Sequence, residues 1–350
     1  MTGALAMIVY LGCYTGVEHS DGLFAIEFDP ASGKMESVAS YPVKNAIYLA
    51  YSPDRKWLYS CEGTGLVAFA VQDGGKLVET DRLDLGMHCV CHLSVSADGS
   101  RVFFAEYIAG KAGSVAVKDG KFSTPVVHVH SGSGPNLPRQ GSAHCHQAVP
   151  SPDGGGYVVV DLGLDELVEY RFAADGSDPG GAAARRFRTT LPGAGPRHLV
   201  FHPEGRLAFL VSELYSKLDA LAYDPAHGFT ATLDRKDLLE GGGNGRGDDQ
   251  DLAAAVRLTP DGKRVVASNR GEQSLAVFDF DAKSGELSFR ARTVLPGSWP
   301  RDFVFVSDTV ALAAMERSGE VHALKYDPAT GRFAVMSTLG GLHRPVALLK

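Results

Sequence analysis

Residues 199–211 read LVFHPEGRLAFLV, two apolar runs flanking His202-Pro203-Glu204-Gly205. Proline pre-sets φ for the first central position of a turn, and glycine accepts the positive φ that closes it. The stretch therefore reads as strand, tight turn, strand. The same pattern recurs at Ser52-Pro53-Asp54, Ser96-Ala97-Asp98-Gly99, Ser151-Pro152-Asp153-Gly154 and Thr259-Pro260-Asp261-Gly262, with a degenerate copy at Val306-Ser307-Asp308. A second turn is clearest in Phe28-Asp29-Pro30-Ala31-Ser32-Gly33 and Tyr326-Asp327-Pro328-Ala329-Thr330-Gly331; its aspartates are Asp29, Asp73, Asp119, Asp175, Asp224, Asp281 and Asp327. These lie about 50 residues apart on average, within the range for a four-stranded propeller blade. Seven such units account for the 350 residues.

Six turns of the first kind against seven of the second is an informative mismatch. The first unit begins at Ile8-Val9-Tyr10-Leu11 with no Pro-Asp turn before it, and Pro345-Val346-Ala347-Leu348-Leu349 is a lone strand at the other end. Pairing these N- and C-terminal segments completes a seventh blade and removes an exposed sheet edge. The expected fold is all-β: a seven-bladed β-propeller over residues 1–350, a single domain with four antiparallel strands per blade. No segment sustains the 3.6-residue apolar period of a helical protein.

Composition agrees. The chain is 44% hydrophobic and 21% charged, and its 41 glycines suit many tight turns. The net charge of −7, with no Lys/Arg-rich run, argues against a nucleic-acid surface. The apolar stretch Ala4 to Thr15 is too short to cross a bilayer and lacks a basic leader, so no membrane association is expected. Cys13, Cys61, Cys89, Cys91 and Cys145 are an odd number in a long chain, which favours free thiols and a cytoplasmic location.

Strand direction brings unusual polarity to one face. If the Pro-Asp turn joins the innermost strand to the second, the starts of innermost strands and the ends of second strands meet on the opposite face, around one axial opening. The starts carry His88, His92, His144, His146, Arg197, His198, Arg301, Asp302, His343 and Arg344. The ends carry Glu62, Glu106, Tyr107, Asp161, Glu213, Asn269, Arg270 and Glu316. Imidazole, guanidinium and carboxylate together suit acid–base chemistry on an anion. The competing reading is a self-satisfied hydrogen-bond ring over a water-filled channel.

The run Gly132-Ser133-Gly134-Pro135, Arg139-Gln140, His144-Cys145-His146 and Ser151-Pro152-Asp153-Gly154 resembles the signature region of the lactonase propeller family. Gly193-Ala194-Gly195-Pro196-Arg197-His198, Ala267-Ser268-Asn269-Arg270-Gly271 and Tyr10-Leu11-Gly12-Cys13-Tyr14-Thr15 are also similar to family motifs. That family includes propeller-type 6-phosphogluconolactonases and carboxymuconate-lactonising enzymes. The resemblance implies a small anionic lactone as partner, no cofactor, and His146, Arg197, Glu213 and Arg270 as catalytic residues. His92, His144, His198, Asn269 and Arg301 are the expected substrate contacts. Two departures stand out: Ala253-Ala254-Ala255 where relatives often carry a polar side chain, and Met315-Glu316 where an Ala-Asn pair is more usual.

In the hydrolytic reading His146 activates water, the arginines hold the oxyanion or a substrate anion, and Glu213 orients them or itself acts as base. Run backwards, the same groups close a lactone, as a cycloisomerase would. A zinc centre built from His88-Cys89-Val90-Cys91-His92 and His144-Cys145-His146 is the competing chemistry, although the spacing fits no zinc signature and the expected metal is none. A non-catalytic binding platform is the other alternative, but the Gly-His and Trp-Asp signatures of such platforms are absent. Residues 241–250, GGGNGRGDDQ, lack the Lys-Ser/Thr of a phosphate loop and read as a loop on the site face that could act as a lid. Arg185-Arg186-Phe187-Arg188 reads as the solvated face of an outer strand.

Overall fold

The computed structural model describes residues 6–178, 185–189, 191–241 and 251–350. Among these, the strands form seven antiparallel sheets arranged as blades. The closing blade runs Pro345–Leu349, Met7–Cys13, Leu23–Phe28, Met35–Tyr41, so its innermost strand comes from the C-terminal segment. Leu11 faces Leu348 and Gly12 faces Ala347 across that closure. In one blade the outermost strand is split into Lys121–Phe122 and Val126–Val129, both on Lys111–Lys118.

The quoted stretch shows why the runs are apolar throughout instead of alternating. Phe209 and Val211 pack with Ala253, Val265 and Phe278 of the following blade. Leu199, Ala208 and Leu210 point the other way, against Val158, Val160 and Leu167 of the preceding one. Each blade is buried on both faces, so both sets of a strand's side chains must be apolar. Three of the recurring turns are locked by their first residue. Ser52, Ser96 and Thr259 each donate a hydroxyl to the aspartate two residues on, and accept the backbone N–H of Trp57, Arg101 and Arg264 respectively.

A feature absent from the sequence reading is a bulge repeated near the start of the innermost strands. Pairing skips Cys91, His146, Arg197, Ala254-Ala255, Arg301 and Val346 in six blades. A bulge re-aims its extra residue away from the ladder. Here it sets the residues at equivalent places around the axial mouth.

Closure of the ring is sterically tight at Gly12, where an added Cβ would lie 1.8 Å from the Ala46 carbonyl oxygen. Gly12→Ala is expected to lower stability by about 2 kcal/mol or more, the scale of overpacking a close-packed interior. Denaturant unfolding monitored by circular dichroism checks this. An unchanged midpoint would mean the Ala46 segment yields freely.

Candidate functional site

The mouth is organised around Glu213, which leaves the end of strand Leu207–Ser212. Its Oε1 accepts from Arg139 Nη2 at 2.6 Å, and its Oε2 lies 2.9 Å from Arg270 Nη2. Arg197 Nε stands 2.8 Å from the same Oε2, but its N–H points off line, so this contact is an ion pair without a hydrogen bond. Backbone carbonyls complete the cradle: Ala254 accepts from Arg197, and Leu252 and Ala253 accept from Arg270. Ala253 and Ala254, two of the three alanines that depart from the family pattern, thus hold the guanidiniums through their carbonyls.

One buried carboxylate serves three cations. Burial opposes ionisation of Glu213, yet Arg270, Arg197 and Arg139 outweigh it and hold its pKa well below the usual carboxylate range. Burial and neighbouring cations act the other way on the arginines: after burial, Arg270 presses Arg197 downward and Arg301 presses Arg270 downward. The opposed shifts agree in meaning. The guanidiniums stay charged because their intrinsic pKa is so high, and their positive charge is under-compensated. Glu213 is thus held as a carboxylate, the counter-ion shared by three guanidiniums.

The belt continues through Arg301, whose Nη1 donates to Glu316 Oε2 at 3.0 Å, and Arg344, which holds Glu316 Oε1 through Nε and Nη2. Five guanidiniums (Arg139, Arg197, Arg270, Arg301, Arg344) against two carboxylates leave the belt at +3, on a chain whose net charge is −7. Such a local field attracts anions.

His146 sits beside this belt, buried, edge-on to Tyr107 at 5.8 Å and to His198 at 5.2 Å. Burial first, then Arg197, lowers its pKa well below the ordinary histidine value, with Glu213 opposing. The ring is neutral at pH 7, and among the described residues its buried Nδ1 has no hydrogen-bond partner. A neutral imidazole beside under-compensated arginines can take a proton from water while the cations face the charge that develops.

The expected substrate contacts divide. Arg301 is at the mouth. His144 flanks it, with Nδ1 donating to the Tyr107 carbonyl at 2.8 Å and its ring stacked on Tyr107 at 4.5 Å. His198 and His92 instead line the channel below, edge-on to each other at 5.7 Å, with His92 against Tyr48 at 4.0 Å. The innermost strands of all seven blades line a cavity of about 330 Å³ there, with the Arg257–Asp302 ion pair in its wall. Asn269 is taken up locally: its Oδ1 accepts from the backbones of Gly271 and Glu272, and its Nδ2 donates to Ser216. It holds the turn that presents Arg270. Glu106 and Asp161 likewise cap backbone N–H groups, and Glu62 pairs with Arg82.

Sequence reasoning assigned no role to Arg139 or Trp299. Arg139 lies on a short helix, Leu137–Gln140, that interrupts the strand pattern; Gln140 anchors it to the Leu162 carbonyl and Asp165. The motif containing Arg139-Gln140 was the available signal. Trp299 packs its ring between Arg270 at 5.5 Å and Arg317 at 3.3 Å, on a left-handed backbone with φ of 74°. That conformation is a genuine outlier for so bulky a residue and clusters at functional sites.

The two histidine–cysteine runs meet at Cys91, but among the described residues they do not bring three ligand atoms together. His88 is exposed, and Cys91 Sγ donates to the backbone carbonyls of Cys145 and His146. Among the described residues the close His/Cys/acid group is His130, Cys145 and Asp161. There His130 Nδ1 is 2.7 Å from Asp161 and Nε2 is 2.9 Å from the Tyr170 hydroxyl. Two donors on a tetrahedral zinc at ~2.0 Å would stand roughly 3.3 Å apart, so this spacing is that of a hydrogen bond. All five cysteines are free. The lid reading of residues 241–250 falls on 242–250, outside the described residues. Arg185, Arg186 and Arg188 lie on an outermost strand as expected, paired with Glu169 and Glu166.

Comparison with known proteins places this geometry in context. The family model "Lactonase, 7-bladed beta-propeller" matches residues 8–349. A 6-phosphogluconolactonase of Bacillus subtilis is 31% identical over 97% of both chains. A 6-phosphogluconolactonase of Formosa agariphila is 25% identical over 93% of this chain and 94% of its own. The structure of the Pseudomonas aeruginosa periplasmic gluconolactonase PpgL superposes with a TM-score of 0.89, at 28% identity and 98% coverage of each chain. Among the described residues no helix is long and apolar enough to cross a membrane.

Proposed function

The chain belongs to the seven-bladed β-propeller lactonase family, and from that premise we propose that it hydrolyses an anionic sugar-acid lactone of the 6-phosphogluconolactone type. The carrying observation is the under-compensated arginine cradle, Arg139, Arg197 and Arg270 on Glu213, beside a neutral buried imidazole. His146 removes a proton from water as its oxygen adds to the lactone carbonyl carbon. The oxyanion forms against Arg197 and Arg270, already charged and held by Glu213 and backbone carbonyls, so little reorganisation is needed. Collapse breaks the carbon–ring-oxygen bond, and the imidazolium returns the proton to the leaving oxygen. The product is a hydroxy acid, which ionises.

A pH-stat screen of lactones, including 6-phosphogluconolactone and gluconolactone, tests this with spontaneous opening subtracted. Acceleration that saturates with substrate is expected for at least one anionic lactone. Rates equal to buffer across the panel would remove the proposal and leave the binding-platform reading.

A further inference from the structure

The belt of arginines grades from buried to exposed. Side-chain exposure is 2% for Arg197, 5% for Arg270, 19% for Arg301 and 52% for Arg344. The two ends suit different anions. A transient oxyanion is best met by buried, pre-oriented charge. A permanent phosphate dianion is strongly hydrated, and stripping it fully costs more than a buried pair returns. It belongs at the end where water still reaches the guanidinium.

That exposed end is built. Arg344 lies over the Tyr14 ring at 4.4 Å, and Arg301 approaches the same ring at 5.4 Å. The Tyr14 backbone N–H donates to the Arg344 carbonyl, tying the closing blade's two segments together. Arg344 grips Glu316 by its Nε–Nη2 edge, and among the described residues its Nη1 has no protein partner. Arg344 also has a left-handed backbone, φ of 47°, held in place although few residues adopt it without cost. His343 beside it stacks on His19 at 4.3 Å, adding two imidazoles to the same rim.

We propose that Arg344, backed by Arg301 and Tyr14, is a subsite for a phosphate group on the part of the substrate remote from the reacting carbonyl, and that it sets selectivity for phosphorylated over unphosphorylated lactones. The proposal rests on the lactonase reading for its substrate. Glu316, one of the two departures from the family pattern, fixes both guanidiniums side by side. Each keeps charge for a ligand because one carboxylate is divided between them.

The test uses binding as well as turnover. Calorimetry with 6-phosphogluconate and gluconate, which differ by the phosphate alone, gives a ratio of dissociation constants independent of catalysis. The wild-type protein should prefer the phosphorylated acid by roughly tenfold or more, as a charge-assisted guanidinium contact allows. Arg344→Asn, which tolerates the left-handed backbone, should reduce that ratio to about threefold or less. The corresponding ratio of kcat/KM for the two lactones should fall in step, chiefly through KM. Arg332→Asn, an exposed arginine on an outer strand, should leave both ratios unchanged. The proposal is overturned if wild type shows no preference, if Arg344→Asn retains it, or if Arg332→Asn lowers it equally. Phosphate-selective binding lost in Arg344→Asn but without lactone hydrolysis would sustain the subsite and refute the lactonase reading.

Discussion

His146→Gln is expected to lower kcat on the preferred lactone by roughly 10²- to 10⁴-fold, the contribution of a positioned general base. Glutamine keeps polar bulk in the buried pocket but cannot take the proton from water. The loss should fall on kcat more than on KM, because the arginine belt that attracts the anion is left in place. The wild-type pH profile supplies an independent check. Burial and Arg197 depress the pKa of His146, so its basic form persists below the ordinary histidine value. Activity should therefore stay level as pH falls through about 6.5 and decline only at more acid values. A wild-type profile that halves near 6.5 would place the base elsewhere, as would a glutamine variant with wild-type turnover.

The fold was legible because its signal is local and repeated. Each Pro-Asp turn announces its own pair of strands, and the unmatched segments at residues 8–11 and 345–349 foretold the closing blade. The site was legible in part for the same reason. His146, Arg197 and Arg301 occupy the same place in three of the repeats, so counting strands was enough to bring them to one mouth. Counting strands could not foresee the bulge that turns each of them toward that mouth, since a skipped pairing leaves no residue-type signature. Nor could it separate His146 from His198, two blade-starts that differ by one step of the bulge, one reaching the mouth and the other the channel beneath. Arg139 was invisible to repeat logic because its helix belongs to no repeat. Asn269 shows what position alone leaves out: it lies where the repeat puts it, and its side chain bonds its own turn and Ser216.

Glu213→Gln should be the most damaging single-atom change in the molecule, because it removes the charge shared by three guanidiniums and keeps their shape. Removing one partner from a buried ion pair typically costs about 3–5 kcal/mol, since the remaining charge stays buried without compensation. Here Arg197 and Arg270 are the charges left behind, both buried, Arg197 already disfavoured by Arg270 and Arg270 by Arg301. The pH dependence has a definite sign. Glu213 has a folded-state pKa below its unfolded value, so its stabilisation is present above about 4.3 and is lost as pH falls toward the folded value. The gap between wild type and Glu213→Gln should thus be widest near neutrality and close under acid conditions. An added anion provides the complementary arm. A phosphorylated hydroxy acid that settles among the uncompensated arginines stabilises whichever protein binds it more tightly. It should raise the unfolding midpoint of the variant more than that of the wild type. Chemical denaturation at pH 7 and at a series of pH values descending below about 4.3, with and without 6-phosphogluconate, measures both effects. If the variant matches wild-type stability at pH 7, Glu213 is not the keystone of the cradle, and the arginines are held by the Leu252, Ala253 and Ala254 carbonyls alone.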